Sequence, residues 1–406
     1  MKILIVYETV YPDFIGGVES RNHELAAALR NRGHEVTLAG FRKPAARGLP
    51  IGPRPDVLPL GELDGLYNAA GQRSTRGAVR FALTVPRLDL RGFDVVETAN
   101  MPYLHIFPLA VKCALAGKPL LVTWYEYWGD YWRGYVGRLK APLYKAIEWC
   151  TGQMGTAVTA TSRLTQERLA RQRRKGNVEL IPCGIHVDEV RRTARVEEAH
   201  HGEGPPFIYA GRLLRAKRVD LLLRAVVLLA PRHPGVPGVL LTVFGDGPHK
   251  EELVRLAGEL GIADRVDFRG HVGTSEEVWR HLGRARVAVQ PSEREGFGLF
   301  PLEAMAAGLP VVYCESPESA VPELVRHGVE GLCTPPEPAA LAAALERLLT
   351  DGEEWRRLHR NAVERAAGYD WDEIARRIEA ACARLVKGTT TPRAPTAPRG
   401  PSSAGS

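Results

Sequence analysis

The alternation of short apolar strands with amphipathic helices most constrains how this chain folds, and it occurs twice. An apolar run at 1–6 is followed by Gly16-Gly17, a helical pattern at 20–32 and a strand at 35–39. Strand, glycine turn, helix and strand in this order predict a βαβ unit and hence a parallel sheet. The same pattern predicts further short, buried strands at 94–97, 119–123, 157–161 and 178–181.

The pattern restarts after a polar segment containing Gly and Pro, 191–206, which has the composition of a linker. Strands and helices then alternate again, beginning with a strand at 207–210. We therefore predict an α/β fold with two doubly wound Rossmann-like domains that face a cleft, an N-terminal domain (1–190) and a C-terminal domain (207–370). The end of the chain, 388–406, is almost entirely Gly, Thr, Pro, Ala and Ser, which predicts a disordered tail.

The composition is that of an ordinary soluble protein. Of 406 residues, 45% are apolar and 25% are charged. No apolar stretch is long enough to span a bilayer, so no transmembrane helix is predicted. The six cysteines lack paired spacing, which argues against a disulfide framework or a zinc site and favours a reduced, cytoplasmic protein.

The positive charge is confined to the first half of the chain. Residues 1–190 hold 25 Lys and Arg against 18 Asp and Glu, whereas 191–406 hold 29 of each, so the first half carries the whole net charge of +7. The sequence has no dense basic stripe and no recognised nucleic-acid motif, which excludes a strongly nucleic-acid-binding domain. Anionic small molecules or an anionic membrane surface remain as possible partners. If the partner is a membrane surface, the protein is expected to lie peripherally at the inner membrane face.

The strongest chemical signal lies in the second half. Arg212 and Lys217 follow the predicted strand 207–210, and a second strand, 286–290, leads into the segment 293–303. Because the carboxyl ends of parallel strands meet at one sheet edge, both bases are predicted at the cleft, where they suit a diphosphate. A Gly-x-Gly at 296–298 opens a helix whose first N–H groups can bind the same oxygens. Each feature alone is more typical of an exposed surface than of a site, so the prediction depends on the combination.

These segments, G-R-L-x3-K at 211–217 and E-G-F-G-L-x3-E at 295–303, resemble the signature of family 4 retaining glycosyltransferases with the GT-B fold. The resemblance covers about residues 1–385. It implies that Arg212 and Lys217 hold the diphosphate of a nucleoside-diphosphate sugar, that Glu303 binds the ribose and that Glu295 binds the sugar hydroxyls. Backbone contacts to this donor are implied for Gly17, Phe297, Gly298 and Leu299.

The resemblance also implies the mechanism and one structural feature. Sugar transfer occurs with retention of configuration, and cations and N–H dipoles stabilise the leaving diphosphate, so neither a metal nor another cofactor is expected. The acceptor is a hydroxyl of a cell-envelope glycan, a lipid-linked sugar or a small metabolite. The last helix, 371–387, is expected to pack back on the N-terminal domain.

One segment of the first domain departs from the family pattern. After the strand 119–123, Tyr125 occupies the position where such enzymes commonly carry His, and Glu126 keeps the acid that follows. A phenol cannot replace an imidazole as a proton carrier near neutral pH. We predict that Glu126 orients the acceptor and acts with Arg212, Lys217 and Glu295 as a catalytic group, and that Tyr125 and Trp128 contact the acceptor.

Seven aromatic residues fall between 124 and 135 and are followed by several bases. This density is compatible with a saccharide-stacking platform, a basic aromatic patch on anionic lipid, or half-buried packing. Three other functions also remain open. A glycoside hydrolase would use Glu295 and Glu303 as its carboxylate pair, a nucleotide-sugar epimerase would convert the donor without an acceptor, and a nucleotide-sugar-binding protein would not catalyse a reaction.

Overall fold

The computed structural model describes residues 1–44, 56–65, 74–196, 203–232 and 238–390. Within these residues the chain forms two separate parallel α/β sheets that are joined near residues 185 and 370. The predicted fold class, two doubly wound Rossmann-like domains facing a cleft, is confirmed.

The first sheet has seven parallel strands within the described residues, in the order β3-β2-β1-β4-β5-β6-β7. These strands are β1 (Lys2–Thr9), β2 (Glu35–Arg42), β3 (Val57–Glu62), β4 (Val95–Ala99), β5 (Leu120–Trp124), β6 (Ala157–Ala160) and β7 (Val178–Leu180). The helices of this half are α1 (Gly17–Asn31), α2 (Thr75–Thr84), α3 (Ile106–Leu115), α4 (Trp132–Val136), α5 (Ala141–Gly152), α6 (Arg163–Gln172) and α7 (Val187–Ala194).

The central strand β1 shows why both faces of this sheet are covered. Seven of its eight residues are buried, as expected for a parallel strand between two helix layers. Successive side chains point to opposite faces, so Ile3 and Ile5 pack in one apolar cluster, whereas Leu4 and Val6 pack in the other. Helix α1 covers the first of these faces, and helices α2, α3, α5 and α6 cover the second.

The second sheet has six parallel strands among the described residues, in the order β10-β9-β8-β11-β13-β15. They are β8 (Phe207–Ala210), β9 (Leu241–Phe244), β10 (Val266–Gly270), β11 (Val287–Gln290), β13 (Val311–Cys314) and β15 (Gly331–Thr334), and β12 (Arg294–Glu295) pairs separately with β14 (Glu318–Ser319). The helices are α8 (Val219–Leu229), α9 (Lys250–Glu259), α10 (Ser275–Leu282), α11 (Leu299–Ala306), α12 (Val321–Leu324), α13 (Pro338–Thr350), α14 (Gly352–Ala367) and α15 (Trp371–Thr390).

The last helix, α15, leaves the second sheet and packs on the first. Its Trp371 and Ile374 lie in the same apolar cluster as Leu25 and Leu29 of α1. The backbone of Ile185 hydrogen-bonds Tyr369 and Trp371, so the two chain crossings between the sheets lie side by side. The chain thus passes between the two halves at this point, and a cleft lies between the two sheets.

The boundaries of the predicted elements lie within a few residues of the observed ones, but strands β3 and β15 and helix α10 were not predicted. The residues of β3 are mostly exposed and lack a clear apolar alternation. Residues 191–194 of the predicted linker form the last turn of α7, while 197–202 lie outside the described residues. Helix α15 continues through Thr390, three residues into the predicted tail, and 391–406 lie outside the described residues.

Two features of the described residues bear on the sequence predictions. No helix there has the combined length and apolar character needed to cross a membrane. The six cysteines are all free thiols.

Candidate active site

The cleft between the two sheets holds two adjoining cavities of about 540 and 520 Å³. We call them the Tyr11 lobe, which extends from Tyr11 to His271, and the Glu295 lobe, which extends from Tyr125 to Glu303. Both cavities are lined by residues of the first sheet's loops and of the second sheet's strand ends. The shared wall between them consists of Gly16, Gly17, Ser20, Ala210, Gly211, Arg212, Ser275 and Val278.

Two bases of the second domain lie in this cleft, as the sequence predicts for them. Arg212 follows β8 and lines both lobes, whereas Lys217 lines the Glu295 lobe. The Lys217 Nζ lies 2.6 Å from Glu295 Oε2, and the Gln290 side chain donates to the same oxygen at 2.7 Å. Glu295 is therefore held from two sides at the carboxyl end of β11, in a fixed orientation toward the cavity.

The first turns of two helices, one from each domain, approach each other across the cleft. Gly17 begins α1 and Leu299 begins α11, and a Cβ built on Gly17 would lie 3.9 Å from Leu299 Cδ1. The first N–H groups of a helix have no partner within the helix and carry its positive dipole end. Gly298 has φ +101°, a left-handed conformation that favours glycine and turns the chain into α11. Two helix starts and two bases thus surround a site suited to an anion.

Glu303 lies in α11 and lines the Glu295 lobe behind this helix start. Burial raises the pKa of its carboxyl to about 7, against a smaller opposing contribution from the Trp279 indole. The carboxyl therefore changes charge near neutral pH. An oxygen pair in this position can accept hydrogen bonds from neighbouring hydroxyls of a sugar.

Tyr125 forms part of the floor of the Glu295 lobe. Its hydroxyl is buried and has no hydrogen-bond partner within the described residues. Burial raises the pKa of this phenol well above its ordinary value, so it stays neutral over the physiological pH range. This environment agrees with the expectation that Tyr125 does not carry a proton near neutral pH. The contact of Tyr125 with the acceptor remains a prediction.

A buried ion pair under this floor was missed by the sequence reasoning. Arg21 Nη1 of α1 lies 2.6 Å from Glu97 Oε1 of β4, and both side chains are nearly inaccessible to solvent. Burial opposes the charged form of Arg21, but the Glu97 carboxylate, together with smaller contributions from Tyr125 and Cys183, raises the Arg21 pKa overall. Thr123 also donates to Glu97 at 2.9 Å. The signal in the sequence was a carboxylate in the middle of an apolar strand.

Glu126 and Trp128 lie at the contact between the domains. The Trp128 indole donates to Glu126 Oε2 at 2.8 Å, and Arg294 Nη2 of β12 lies 2.6 Å from the same oxygen. The Arg294 guanidinium carbon is 4.1 Å from the ring centres of both Trp128 and Tyr131. Glu126 also lines the cleft, so its predicted role toward the acceptor stays a prediction, while its pairing with Arg294 was not foreseen.

A second buried carboxylate, Glu148 of α5, organises the aromatic segment. It accepts the backbone N–H groups of Trp128 at 2.7 Å and Gly129 at 2.8 Å, and also the Tyr103 hydroxyl and the Trp132 indole. Trp124 and Trp132 are buried in the core. Trp124 and Trp132 therefore serve in packing, which is one of the three interpretations given for the aromatic residues 124–135. Trp128 and Tyr131 instead contact Arg294.

Other contacts also cross between the domains. Glu323 accepts the first two N–H groups of α6 at 2.6 and 2.7 Å, from Arg163 and Leu164. Arg168 of α6 forms a two-pronged ion pair with Glu318, with both distances at 2.8 Å. The described residues contain no group of three or more His, Cys, Asp or Glu side chains placed to hold a metal ion.

Two facing Rossmann-like domains, whose loops and strand ends line the cleft between them, define the fold class of this protein as GT-B. Residues 15–189 match the family model described as Glycosyltransferase Family 4, and residues 190–365 match the model described as Glycosyl transferases group 1. The chain is therefore a glycosyltransferase.

Curated relatives carry the same activity class. The chain is 27% identical over 401 residues to a GDP-mannose-dependent alpha-(1-6)-phosphatidylinositol monomannoside mannosyltransferase of Mycobacterium tuberculosis, covering 95% of this chain and 97% of the relative. It is 38% identical over 214 residues to a D-inositol 3-phosphate glycosyltransferase of Frankia alni, covering 50% of this chain and 51% of the relative.

Solved structures confirm the fold. A sucrose-phosphate synthase from Thermosynechococcus elongatus superposes with a TM-score of 0.75 at 21% identity, covering 95% of this chain and 99% of that chain. Anabaena HepE in complex with UDP and glucose gives a TM-score of 0.71 at 19% identity, covering 94% and 99%.

Proposed function

We propose that this glycosyltransferase moves a sugar from a nucleoside-diphosphate sugar to an acceptor hydroxyl with retention of configuration. The observation that carries the proposal is the convergence of Arg212, Lys217 and the start of α11 on one cavity that also contains Glu295 and Glu303. The bases and helix N–H groups hold the diphosphate, Glu303 accepts the ribose hydroxyls, and Glu295 accepts hydroxyls of the donor sugar.

The proposed reaction is a front-face displacement at the anomeric carbon. The bond between the anomeric carbon and the β-phosphate oxygen breaks, and a bond to the acceptor oxygen forms on the same face of the sugar. The departing phosphate takes the acceptor proton, so no enzymic nucleophile and no resident metal are needed. Negative charge grows on the diphosphate as the bond breaks, and preorganised cations and N–H dipoles stabilise it most in the transition state.

A panel of UDP-, GDP- and ADP-hexoses with candidate acceptors tests this function. We expect one donor to release nucleoside diphosphate faster when the acceptor is added, with a product whose anomeric configuration, read from NMR coupling constants, equals that of the donor. An inverted product would contradict retention. Conversion of the donor to its epimer without acceptor would favour the epimerase, and binding without turnover of any donor would favour a non-catalytic binding protein.

We also propose that the acceptor is presented at an anionic membrane surface, with the protein in the cytoplasm. Helices α2, α3 and α5 cover one face of the first sheet. The segments 75–87, 106–118 and 132–149 contain nine Lys and Arg and one acidic residue, Glu148, which is buried. These segments expose six large apolar side chains: Val79, Leu83, Val111, Leu115, Leu139 and Leu143. Bases around exposed apolar side chains suit anionic lipid.

Co-sedimentation with vesicles tests the membrane contact. We expect binding to phosphatidylglycerol-containing vesicles that weakens with salt, and little binding to pure phosphatidylcholine. Leu139 is 97% exposed, and replacing it together with Leu143 by Gln should weaken binding. Leu228→Gln, at an exposed leucine of the second domain, is the matched control. Equal binding of the double variant and wild type would contradict this surface.

A further inference from the structure

Arg294 reaches from the C-terminal domain into a socket on the N-terminal domain, formed by Glu126, Trp128 and Tyr131. Its side chain is 8% exposed, although it belongs to the two-residue strand β12. One Nη pairs with Glu126 at 2.6 Å, and the guanidinium carbon lies 4.1 Å from the ring centres of both Trp128 and Tyr131, whose rings are perpendicular to each other. Arginine is well suited to this setting, because its planar group can stack on rings and pair with a carboxylate at once.

The socket is built by groups that do not depend on Arg294. The Trp128 indole holds Glu126 at 2.8 Å, and buried Glu148 fixes the backbone of Trp128 and Gly129. Trp128 also packs against Trp132 with ring centres 4.4 Å apart. A preorganised socket fixes the position of an entering side chain more closely than an exposed ion pair would.

The next residue along the chain is Glu295, which points the other way. Neighbouring side chains of an extended segment alternate, so Arg294 points into the first domain while Glu295 meets Lys217 and Gln290 at the cleft. The backbone of Gly296, the residue after Glu295, also packs closely against the first domain, because a Cβ built on Gly296 would lie 2.4 Å from Glu126 Cγ. The position of Glu295 is thus tied to the loop that carries Glu126.

We propose that Arg294 is a positioning residue. By binding to the loop 125–131 of the first domain, it fixes where Glu295 lies relative to that loop, which contacts the acceptor. The inference rests on the proposed role of Glu295 toward the donor sugar. When Arg294 occupies its socket, the donor sugar bound by Glu295 is held at a fixed position relative to the acceptor loop. When it does not, the diphosphate is still bound by Arg212, Lys217 and α11, but the sugar is misplaced relative to the acceptor.

Arg294→Gln and Tyr131→Leu test this inference, with kcat, KM and nucleoside-diphosphate affinity as readouts. A displacement of the order of 1 Å costs on the order of 100-fold in rate, so Arg294→Gln should lower kcat by about that factor. Its affinity for the nucleoside diphosphate and its KM for the donor should change little. Tyr131→Leu removes one ring at a partly exposed position and should lower kcat less, in the same direction. Arg294→Lys, which keeps the charge but loses the stacking plane, should recover only part of the rate.

Arg168→Gln is the control, because it breaks the ion pair with Glu318 and a long hydrogen bond to the Tyr127 carbonyl at the same domain contact, while Arg294, Glu126 and Trp128 keep their partners. It should leave kcat near the wild-type value. An equal loss of kcat in Arg168→Gln and Arg294→Gln would show that any weakening of the domain contact lowers the rate, and this would overturn the inference. A normal kcat in both Arg294→Gln and Tyr131→Leu would overturn it as well. Wild-type protein that binds no nucleoside diphosphate would instead contradict the proposed function itself.

Discussion

Lys217 and Glu295 form an ion pair of 2.6 Å on the floor of the cleft, although 78 residues separate them in sequence. The strands before them, β8 and β11, are direct neighbours in the second sheet. Because both side chains follow the carboxyl ends of these strands, the pair neutralises itself when the cleft is empty. A bound diphosphate gives Lys217 a second anionic partner without moving it far, so little reorganisation is needed during the reaction.

Replacement of Lys217 by Ala should lower kcat/KM by about 10²–10³-fold, the range seen when one preorganised electrostatic donor is removed. Glu295 would also lose its counter-charge while Gln290 still holds it. Steady-state release of nucleoside diphosphate measures the effect. Arg215→Ala is the control, because Arg215 is an exposed base of the same loop that contacts His249 and Glu252 outside the cleft. Similar losses in both variants would point to damage of the loop instead.

The two-sheet architecture could be predicted from sequence because the central parallel strands are covered on both sides and are therefore largely apolar. The placement of Arg212 and Lys217 at the cleft could be predicted for a related reason: the topology fixes where strands end. Strand β3 could not be predicted, because an edge strand has fewer buried neighbours and its apolar pattern is weak.

The contacts of Glu126 could not be predicted from sequence. Its partner Arg294 is 168 residues away, on a different domain, and its sequence neighbours give no sign of it. The same holds for Glu148, whose four hydrogen-bond donors come from Trp128, Gly129 and Trp132 and from Tyr103, which follows β4. Local sequence patterns indicate strands, helices and turns, whereas such pairings depend on how segments distant in sequence pack in the folded protein.

Nucleoside-diphosphate affinity should rise with pH toward a plateau above about 7, because burial raises the pKa of Glu303 to about 7. The ionised carboxylate accepts hydrogen bonds from both ribose hydroxyls, so binding favours the ionised form and releases a proton below that pH. Calorimetry between pH 5.5 and 8.5 measures this trend. Glu303→Gln should keep only the slope that belongs to the phosphate itself, and an unchanged slope would contradict the role of Glu303.

Glu303 should also make the free protein less stable at high pH. Its folded pKa lies above the ordinary value of 4.5, so the folded state binds more protons between these values and stability falls as pH rises through this window. At pH 8, Glu303→Gln should raise the free energy of unfolding by about 2 kcal/mol, after allowance for partial access from the cleft. At pH 4 the variant and the wild type should be alike in chemical denaturation.

His186, at the start of α7, should titrate above its ordinary pKa. Its Nε2 lies 2.7 Å from Glu24 of α1, and this hydrogen bond raises the His186 pKa. The resulting stabilisation is complete below the ordinary pKa of 6.5 and is lost as pH rises through the raised folded value. NMR titration of the imidazole protons measures it. In Glu24→Gln the His186 pKa should return toward 6.5. A His186 pKa that is the same in this variant as in the wild type would contradict the pairing.

Gly245 should not tolerate a side chain. It follows β9 with φ +123°, and a Cβ there would lie 2.0 Å from the carbonyl oxygen of Gly211, the residue before Arg212. Backbone must move to relieve this contact, so Gly245→Ala should lower the free energy of unfolding by about 3 kcal/mol. Gly258→Ala is the matched control, because Gly258 lies in α9 with no atom near its Cβ position. It should raise stability by about 0.5–1 kcal/mol, since alanine is the better helix former. Chemical denaturation of both variants measures the contrast, and a Gly245→Ala protein as stable as wild type would show that the Gly211 and Gly245 loops do not pack as closely as described.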